Sequence, residues 1–234
     1  MTTGSTAARN RILGKIRSRL GHEAGSAAER RAAALSYIGE HTRHLTPARA
    51  TKPRPELIEQ FKGFLEGQSA KVVVVEGPGA VPGAVARYLA ERKLPARIRA
   101  GVDPWLTALP WSEAAPLVLL KGPAGPADTA GLSHAQAGIA ETGTLVLASG
   151  ADNPVTLTFL PETHVIVVAE DDIVGSLEDG FGLVRARFGE RNLPRTINFV
   201  SGASRTADIG GRLVIGAHGP RHLAVVVVRN ARGT

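Results

Sequence analysis

The segment best suited to carry chemistry places a carboxylate beside two hydroxyls, in Glu-Thr-Gly-Thr at residues 141–144. It leads into an apolar run with the composition of a buried strand. Ligand sites in open α/β sheets lie at strand ends. Glu141 is therefore a candidate catalytic base or nucleophile, with Thr142, Gly143 and Thr144 as candidate binding residues. The alternative is that the Glu141 carboxylate only accepts hydrogen bonds from loop amides, and the spacing leaves both open.

A second polar segment, residues 201–208, follows another apolar run and is rich in small hydroxyl side chains. Its backbone amides, together with Ser204, Arg205 and Thr206, would form a cradle for an anion, since arginine is suited to bidentate carboxylate recognition. Asp208 is included in this candidate site. Its alternative role, common for aspartate among Ser and Thr, is to orient the loop through hydrogen bonds to the backbone.

Histidines provide a third set of candidates. His218 stands in Gly-Ala-His-Gly-Pro at residues 216–220, where Gly219 would permit unusual backbone angles and let the imidazole face a cleft. We therefore treat His218 as a candidate catalytic residue and His164, directly before an apolar run, as a binding residue. Nothing in the spacing of these histidines and His134 requires a metal, and no metal site is predicted.

The glycine-rich segment at residues 77–83 follows an apolar run and precedes a helical pattern, which is where phosphate loops occur. Its spacing does not match a dinucleotide fingerprint. Pro78 and Pro82 also remove two of the amides that such a loop would use. A plain strand-to-helix turn is favoured over an anion site.

Composition excludes several classes of protein. The 234 residues are 43% hydrophobic and 21% charged, as in ordinary globular proteins, and contain no cysteine. The chain therefore forms no disulfide, has no thiolate nucleophile and cannot supply the thiolates that hold iron–sulfur clusters. No apolar run approaches the roughly 20 residues of a membrane span, and no secretory signal is evident, so a cytoplasmic protein is expected.

The net charge of +7 comes from the first part of the chain, because residues 1–63 contain 12 Lys/Arg and 5 Asp/Glu. Here Ile12, Ile16 and Leu20 recur at helical spacing among basic residues, which predicts an amphipathic helix. Its basic face is either solvated or docks on an acidic partner. Nucleic-acid binding is disfavoured, because the segment carries no recognised binding motif.

The pattern of elements predicts a basic helical extension over residues 1–66 and an α/β domain over residues 67–234. Buried strands are predicted at residues 72–75, 97–99, 117–120, 145–147, 165–168, 197–200 and 224–228. A helix is predicted to start near Asp171 or Asp172, either of which could cap it. We expect a three-layer α/β/α domain.

Four motifs in order resemble the LUD domain of the lactate-utilisation protein C family. They are Ala-Glu-Thr-Gly-Thr at 140–144, Pro-Glu-Thr-His at 161–164, Ser-Arg-Thr-Ala-Asp-Ile at 204–209 and Gly-Ala-His-Gly-Pro at 216–220. The resemblance covers roughly residues 70–228. The chain departs from the family pattern at Ala203, where proline is usual, and at Gly210, where an acidic residue is usual.

The resemblance implies a NagB/RpiA/CoA-transferase-like fold and a place in a three-protein system for growth on L-lactate. Iron–sulfur clusters would lie on the partner subunits, and this chain would bind no cofactor. The expected function is an accessory subunit of L-lactate oxidation to pyruvate, with an interaction role or a role in positioning a small carboxylate. The alternative is a stand-alone enzyme of the same fold acting on an acyl-CoA, a sugar phosphate or a nucleotide.

Overall fold

The computed structural model describes residues 3–20, 27–189, 192–209 and 212–231. The chain divides into two compact units, residues 1–45 and residues 46–234. Within the described residues the first unit consists of two helices, α1 (Thr3–Arg19) and α2 (Ala27–Glu40). The predicted basic helix is thus present as α1, and its Ile12 and Ile16 side chains are exposed. None of the helices in the described ranges is both long and apolar enough to cross a bilayer.

The second unit alternates helices and strands. Its helices are α3 (Arg54–Gly67), α4 (Val81–Glu91), α5 (Pro104–Thr107), α6 (Val155–Phe159) and α7 (Leu177–Phe188). Its strands are β1 (Lys71–Val75), β2 (Arg97–Ala100), β3 (Val118–Lys121), β4 (Ala130–His134), β5 (Ala137–Ile139), β6 (Thr144–Ala148), β7 (Thr163–Ala169), β8 (Ile173–Val174), β9 (Ile197–Val200), β10 (Arg205–Ile209), β11 (Arg212–Ile215) and β12 (His222–Val228).

A six-stranded parallel sheet forms the centre of this unit, in the order β1-β12-β7-β4-β2-β3. The central strands β7 and β12 are almost entirely buried, as expected for branched apolar runs covered on both faces. Because all six strands point the same way, the sheet has one edge of strand starts and one edge of strand ends. We call these the amino edge and the carboxyl edge.

Each face of the parallel sheet is covered by a separate hydrophobic layer. On one face, Val85 and Leu89 of α4 and Leu106 of α5 pack in the same core as Val167. On the other face, α3 and a four-stranded sheet of order β8-β5-β6-β9 supply the covering residues, among them Phe61 and Leu147. Helix α7 packs on that smaller sheet through Val184, which joins Ile139 and Val146 in a third cluster.

The α/β prediction is confirmed, and all seven predicted strands are present, five in the parallel sheet and the runs at 145–147 and 197–200 in the smaller sheet. The predicted strand-to-helix turn is also present, where a short 3-10 helix (Pro78–Ala80) leads into α4. The preference for a plain turn over an anion site stays a prediction.

The predicted start of helix α7 is wrong. Asp171 and Asp172 lie in a 3-10 turn, and the next two residues form β8, which pairs with β5. Gly175 then packs so closely on the Ala50 carbonyl that no side chain fits there. Helix α7 therefore begins only at Leu177, where Ser176 and Asp179 form a reciprocal capping box.

Helix α3 belongs to the α/β unit rather than to an extension. Its first turn contains Pro55, a residue that favours helix starts, and Ile58, Phe61 and Leu65 recur at three- and four-residue spacing. All three side chains are buried in the core on one face of the parallel sheet. The boundary between the two compact units therefore lies between residues 45 and 46, whereas the sequence pattern placed a domain boundary after residue 66.

Candidate functional site

A cavity of about 250 Å³ opens at the amino edge of the parallel sheet, next to the first residues of β7 and β12. It is bounded by the end of α6, the end of β9, the start of β10 and the loop before β12. The lining residues are Thr158, Phe159, His164, Phe199, Val200, Ser201, Gly202, Ser204, Arg205, His218, Gly219, Pro220 and Leu223. Five residues that the sequence singled out, His164, Ser204, Arg205, His218 and Gly219, thus share one cavity.

Backbone hydrogen bonds hold the Ser204 segment against the loop before β12. The Ser204 amide donates to the Pro220 carbonyl at 2.9 Å, and the Gly216 amide donates to the Ser204 carbonyl at 2.9 Å. The His218 amide also donates to the Ser204 hydroxyl at 3.4 Å. The glycine with a left-handed backbone in this loop is Gly216 (φ +79°), and not Gly219 as expected from the sequence. A side chain at Gly219 would meet Ser204 only at ordinary contact distance.

His164 forms the buried wall of the cavity, with a relative exposure of 1%. Its Nε2 atom lies 2.8 Å from the Ser133 hydroxyl on β4. Burial without an acidic partner lowers the pKa of His164 to about 3. The imidazole is therefore neutral near neutral pH, and it presents hydrogen-bonding groups rather than a charge.

Arg205 supplies a positive charge at the cavity. Its guanidinium donates hydrogen bonds to the Ser69 hydroxyl and, at 3.5 Å, to Oε1 of Gln68. Both partners are neutral residues of the turn between α3 and β1. None of the carboxylates whose side chains the structure describes forms an ion pair with it, so the charge at this wall of the cavity is not neutralised by them.

Glu141 points elsewhere. It is buried (8% exposed), and its Oε1 accepts a hydrogen bond of 2.9 Å from the Leu177 amide in the first turn of α7. Its backbone carbonyl accepts from Nε of Arg49 at 3.1 Å. A carboxylate at a helix start satisfies a free amide and interacts favourably with the helix dipole. Of the two roles left open by the sequence, the geometry of Oε1 corresponds to acceptance from an amide, and Glu141 does not line the cavity that contains His218.

The hydroxyls that follow Glu141 do not line the cavity but connect to it through Ser201. The Thr142 and Thr144 hydroxyl oxygens lie 2.8 Å apart, and the Thr144 hydroxyl lies 2.7 Å from that of Ser201, a lining residue. Gly143, at φ +63°, forms the turn between the two threonines. The sequence analysis named Ser201 only as the start of a polar segment and not as a site residue. Its position directly after strand β9 was the feature that could have identified it.

The remaining candidates divide as follows. Thr206 lies opposite Val214 in the hairpin of β10 and β11 and is half-buried. Asp208 lies in β10, but its side chain falls outside the described residues, as does Gly210. His134 lies at the carboxyl edge, away from the cavity. Among the residues that the structure describes, no three His, Cys, Asp or Glu side chains are grouped to hold a metal ion.

Comparison with known proteins identifies the group to which this chain is related. A Deinococcus radiodurans protein named lactate utilization protein C is 35% identical over 193 residues, which cover 78% of this chain and 84% of that protein. The chain belongs to the lactate utilization protein C family. The family model described as the LUD domain matches residues 126–228. This match includes Glu141, His164, Ser204 and His218 and excludes Gln68 and Ser69, which hold Arg205.

Other similarities cover the chain less evenly. A Geobacillus sp. lactate utilization protein C is 35% identical over 99 residues, which are 42% of this chain and 41% of that protein. The chain thus spans about two fifths of the length of the first curated relatives that it matches. The crystal structure of a DUF162 family protein from Deinococcus radiodurans aligns with a TM-score of 0.58 and 28% identity, over 76% of this chain and 99% of that chain.

Proposed function

We propose that this chain is an accessory subunit of an iron–sulfur-dependent system that oxidises L-lactate to pyruvate, and that its amino-edge cavity holds a small carboxylate. The name of the family supports a role in lactate utilisation. The observation that carries the ligand proposal is that Arg205, Ser201 and Ser204 line one cavity.

The chemistry of the cavity suits a small carboxylate. An arginine presents paired N–H donors that match the two oxygens of a carboxylate, and hydroxyls donate to the remaining lone pairs. Neutral His164 adds a polar group without adding charge. Among the described side chains that line the cavity, none is a carboxylate.

The division of labour follows from the absence of cysteine, since this chain offers no thiolate to hold a cluster. In the proposal the iron–sulfur clusters and the electrons belong to partner subunits, and this chain positions substrate or partners. The proposed role of this chain is thus binding and positioning, with the redox step on the partners.

The ligand proposal is tested by calorimetric titration of the purified chain with L-lactate and with pyruvate. We expect Arg205→Gln to lower the affinity by roughly tenfold or more, because a charge-assisted pair is lost. The matched control is Arg87→Gln, an exposed arginine of α4 on the opposite face of the parallel sheet, which should leave the affinity unchanged. Equal losses in both variants, or no binding by the wild-type chain, would contradict the proposal.

The partner proposal has a separate test. The tagged chain, recovered from its native host grown on L-lactate, should bring with it cysteine-rich proteins that carry iron, detected by mass spectrometry and metal analysis. Deletion of the gene should impair growth on L-lactate and leave growth on pyruvate intact. Normal growth on L-lactate after deletion would remove the basis for the proposed function.

One observation favours the alternative of a stand-alone enzyme for a larger ligand. A second cavity of about 540 Å³ adjoins the first and shares Phe159, His218 and Gly219 with it. A thermal-shift screen with CoA esters, sugar phosphates and nucleotides tests this alternative, because a tight ligand raises the melting temperature. Stabilisation by one of these compounds, abolished in His218→Ala while the unliganded variant melts normally, would favour the enzyme over the accessory subunit, because His218 lines both cavities.

A further inference from the structure

Three hydroxyls form a continuous chain that ends in the amino-edge cavity. The Thr142 and Thr144 oxygens are 2.8 Å apart and the Thr144 and Ser201 oxygens are 2.7 Å apart, both within the range of strong hydroxyl hydrogen bonds. Thr144 is buried at 6% exposure, whereas Ser201 is exposed and lines the cavity. Thr142, at the other end, is also exposed, so the chain passes from one exposed hydroxyl through a buried one to the hydroxyl that lines the cavity.

The backbone fixes both contacts. Strands β6 and β9 pair antiparallel with Leu145 opposite Val200, so that the next pair outward brings Thr144 opposite Ser201. The left-handed turn at Gly143 places the hydroxyls of its two neighbours together, and a side chain at this position would meet Cβ of Phe64 at 2.5 Å. Helix α3 thus supports the turn from behind.

The chain allows two directions for the last hydroxyl, and the ligand decides between them. Each hydroxyl has one hydrogen to donate and can accept from others. If Thr142 donates to Thr144 and Thr144 donates to Ser201, the Ser201 hydrogen is left to point into the cavity. A carboxylate accepts hydrogen bonds and donates none, so it selects this direction, whereas a ligand that donates would select the reverse.

We propose that Ser201 contacts the ligand of the amino-edge cavity, and that Thr144 and Thr142 are positioning residues that hold its hydroxyl as a donor to an anionic oxygen. This inference rests on the proposed function for the nature of the ligand. It assigns the Glu-Thr-Gly-Thr turn to the support of Ser201, with Glu141 holding the start of α7 and the two threonines orienting the hydroxyl that meets the ligand.

The test is a double-variant cycle on pyruvate affinity, measured by calorimetry on the full chain. We expect Ser201→Ala to lower the affinity by roughly fivefold, as for loss of one neutral donor. Thr144→Val, which keeps the shape and removes the hydroxyl, should lower it by a similar factor, and Thr144→Ser should restore it to within about twofold. Combining Ser201→Ala with Thr144→Val should cost no more than Ser201→Ala alone, because the two residues act as one unit.

Thr51→Val is the matched control, since the Thr51 hydroxyl is exposed and donates only to the Ala48 carbonyl. Unchanged affinity in Thr144→Val, or fully additive losses in the double variant, would overturn the inference while the carboxylate site stands. Either result is separate from that of Arg205→Gln, which tests the proposed function.

A second measurement does not need a ligand. Scalar couplings in the NMR spectrum report the side-chain rotamer of Ser201, which should be single in the wild type and in Thr144→Ser and averaged in Thr144→Val. If the wild type binds no carboxylate, the proposed function fails. The scalar couplings still test whether Thr144 positions the Ser201 side chain. A Ser201 side chain already averaged in the wild type would overturn it.

Discussion

The two edges of the parallel sheet each carry a buried histidine, and the surroundings of the two residues differ. At the carboxyl edge, Nδ1 of His134 lies 3.2 Å from Oδ2 of Asp103, and the Trp105 ring stacks on the imidazole at 4.6 Å. At the amino edge, His164 bonds the neutral Ser133 hydroxyl and forms a wall of the cavity. One histidine is paired with a carboxylate, and the other is held neutral beside a cavity.

The difference separates polar groups that stabilise the fold from those available to a ligand. Asp103 also accepts from the Leu106 amide and thereby caps α5, so its two oxygens are both used within the protein. Burial alone would raise the pKa of Asp103, but the hydrogen bonds from His134 and Leu106 outweigh it and lower the pKa below its usual range. Open α/β sheets usually bind ligands at the carboxyl edge. Here Asp103 and His134 bond each other at that edge, while the hydroxyls and Arg205 face a cavity at the opposite one.

The largest expected effect is from Asp103→Ala, which removes a helix cap and leaves His134 buried without its partner. We expect the free energy of unfolding to fall by about 3 kcal/mol. The matched control, Asp152→Ala at an exposed position nearby, should change it by less than about 0.5 kcal/mol. Urea unfolding measures both. Because the pKa of Asp103 is lowered in the folded chain, the loss of unfolding free energy in Asp103→Ala should reach its full size above about pH 4. Below that pH the loss should shrink, since the carboxylate becomes protonated. Equal effects of the two substitutions would contradict the assigned role.

His164 should make stability depend on pH over a different window. Its pKa is about 3 in the folded chain, against 6.5 as its usual value, so below pH 6.5 the unfolded chain binds a proton that the folded chain does not. Stability should therefore fall with decreasing pH, by about 2 kcal/mol between pH 6.5 and pH 4.5 from this residue. Comparing urea unfolding of the wild type and His164→Gln isolates this contribution. An NMR titration showing protonation of His164 near pH 6 would contradict it.

Substitution of Gly143 is expected to have the next largest effect on stability. Gly143→Ala places a side chain on a left-handed backbone and against Phe64, and should cost about 2 kcal/mol. Gly182→Ala in α7 is the control, because no atom lies near the added carbon, and should stabilise the chain by up to about 1 kcal/mol. Thermal unfolding compares them. Similar melting temperatures would show that the turn adapts and does not hold Thr142 and Thr144 rigidly.

The smallest effect is expected from the ion pair at the rim of the amino edge. Nη1 of Arg221 lies 3.4 Å from Oε1 of Glu162, and the two side chains are 55% and 58% exposed. Exposed pairs contribute little, so Glu162→Gln should change the free energy of unfolding by less than about 0.5 kcal/mol. A loss above about 1 kcal/mol in urea unfolding would place this pair among the stabilising contacts of the fold rather than at an open rim.

Sequence patterns located the longer runs of apolar residues as strands and missed the short strand β8, the hairpin of β10 and β11, and strands of small residues such as β4. Strand β4 has the sequence Ala-Gly-Leu-Ser-His and lies between two neighbours in the sheet, so its pairing comes from position rather than from composition. The start of α7 was misplaced for a similar reason. Asp171 and Asp172 are good caps in isolation, but pairing of β8 with β5 delays the helix to Leu177.

For the candidate site, residue types indicated two of the loops that line the amino-edge cavity, and the chain order of the motifs gave the family. The sequence by itself determined the α/β class and the polar character of the loops, because branched runs and hydroxyl clusters are local properties. Only the tertiary structure decided the direction of each side chain. The Glu141 carboxylate bonds the start of α7 and the Ser201 hydroxyl bonds Thr144, and these directions depend on contacts with residues 36 and 57 positions away in the chain.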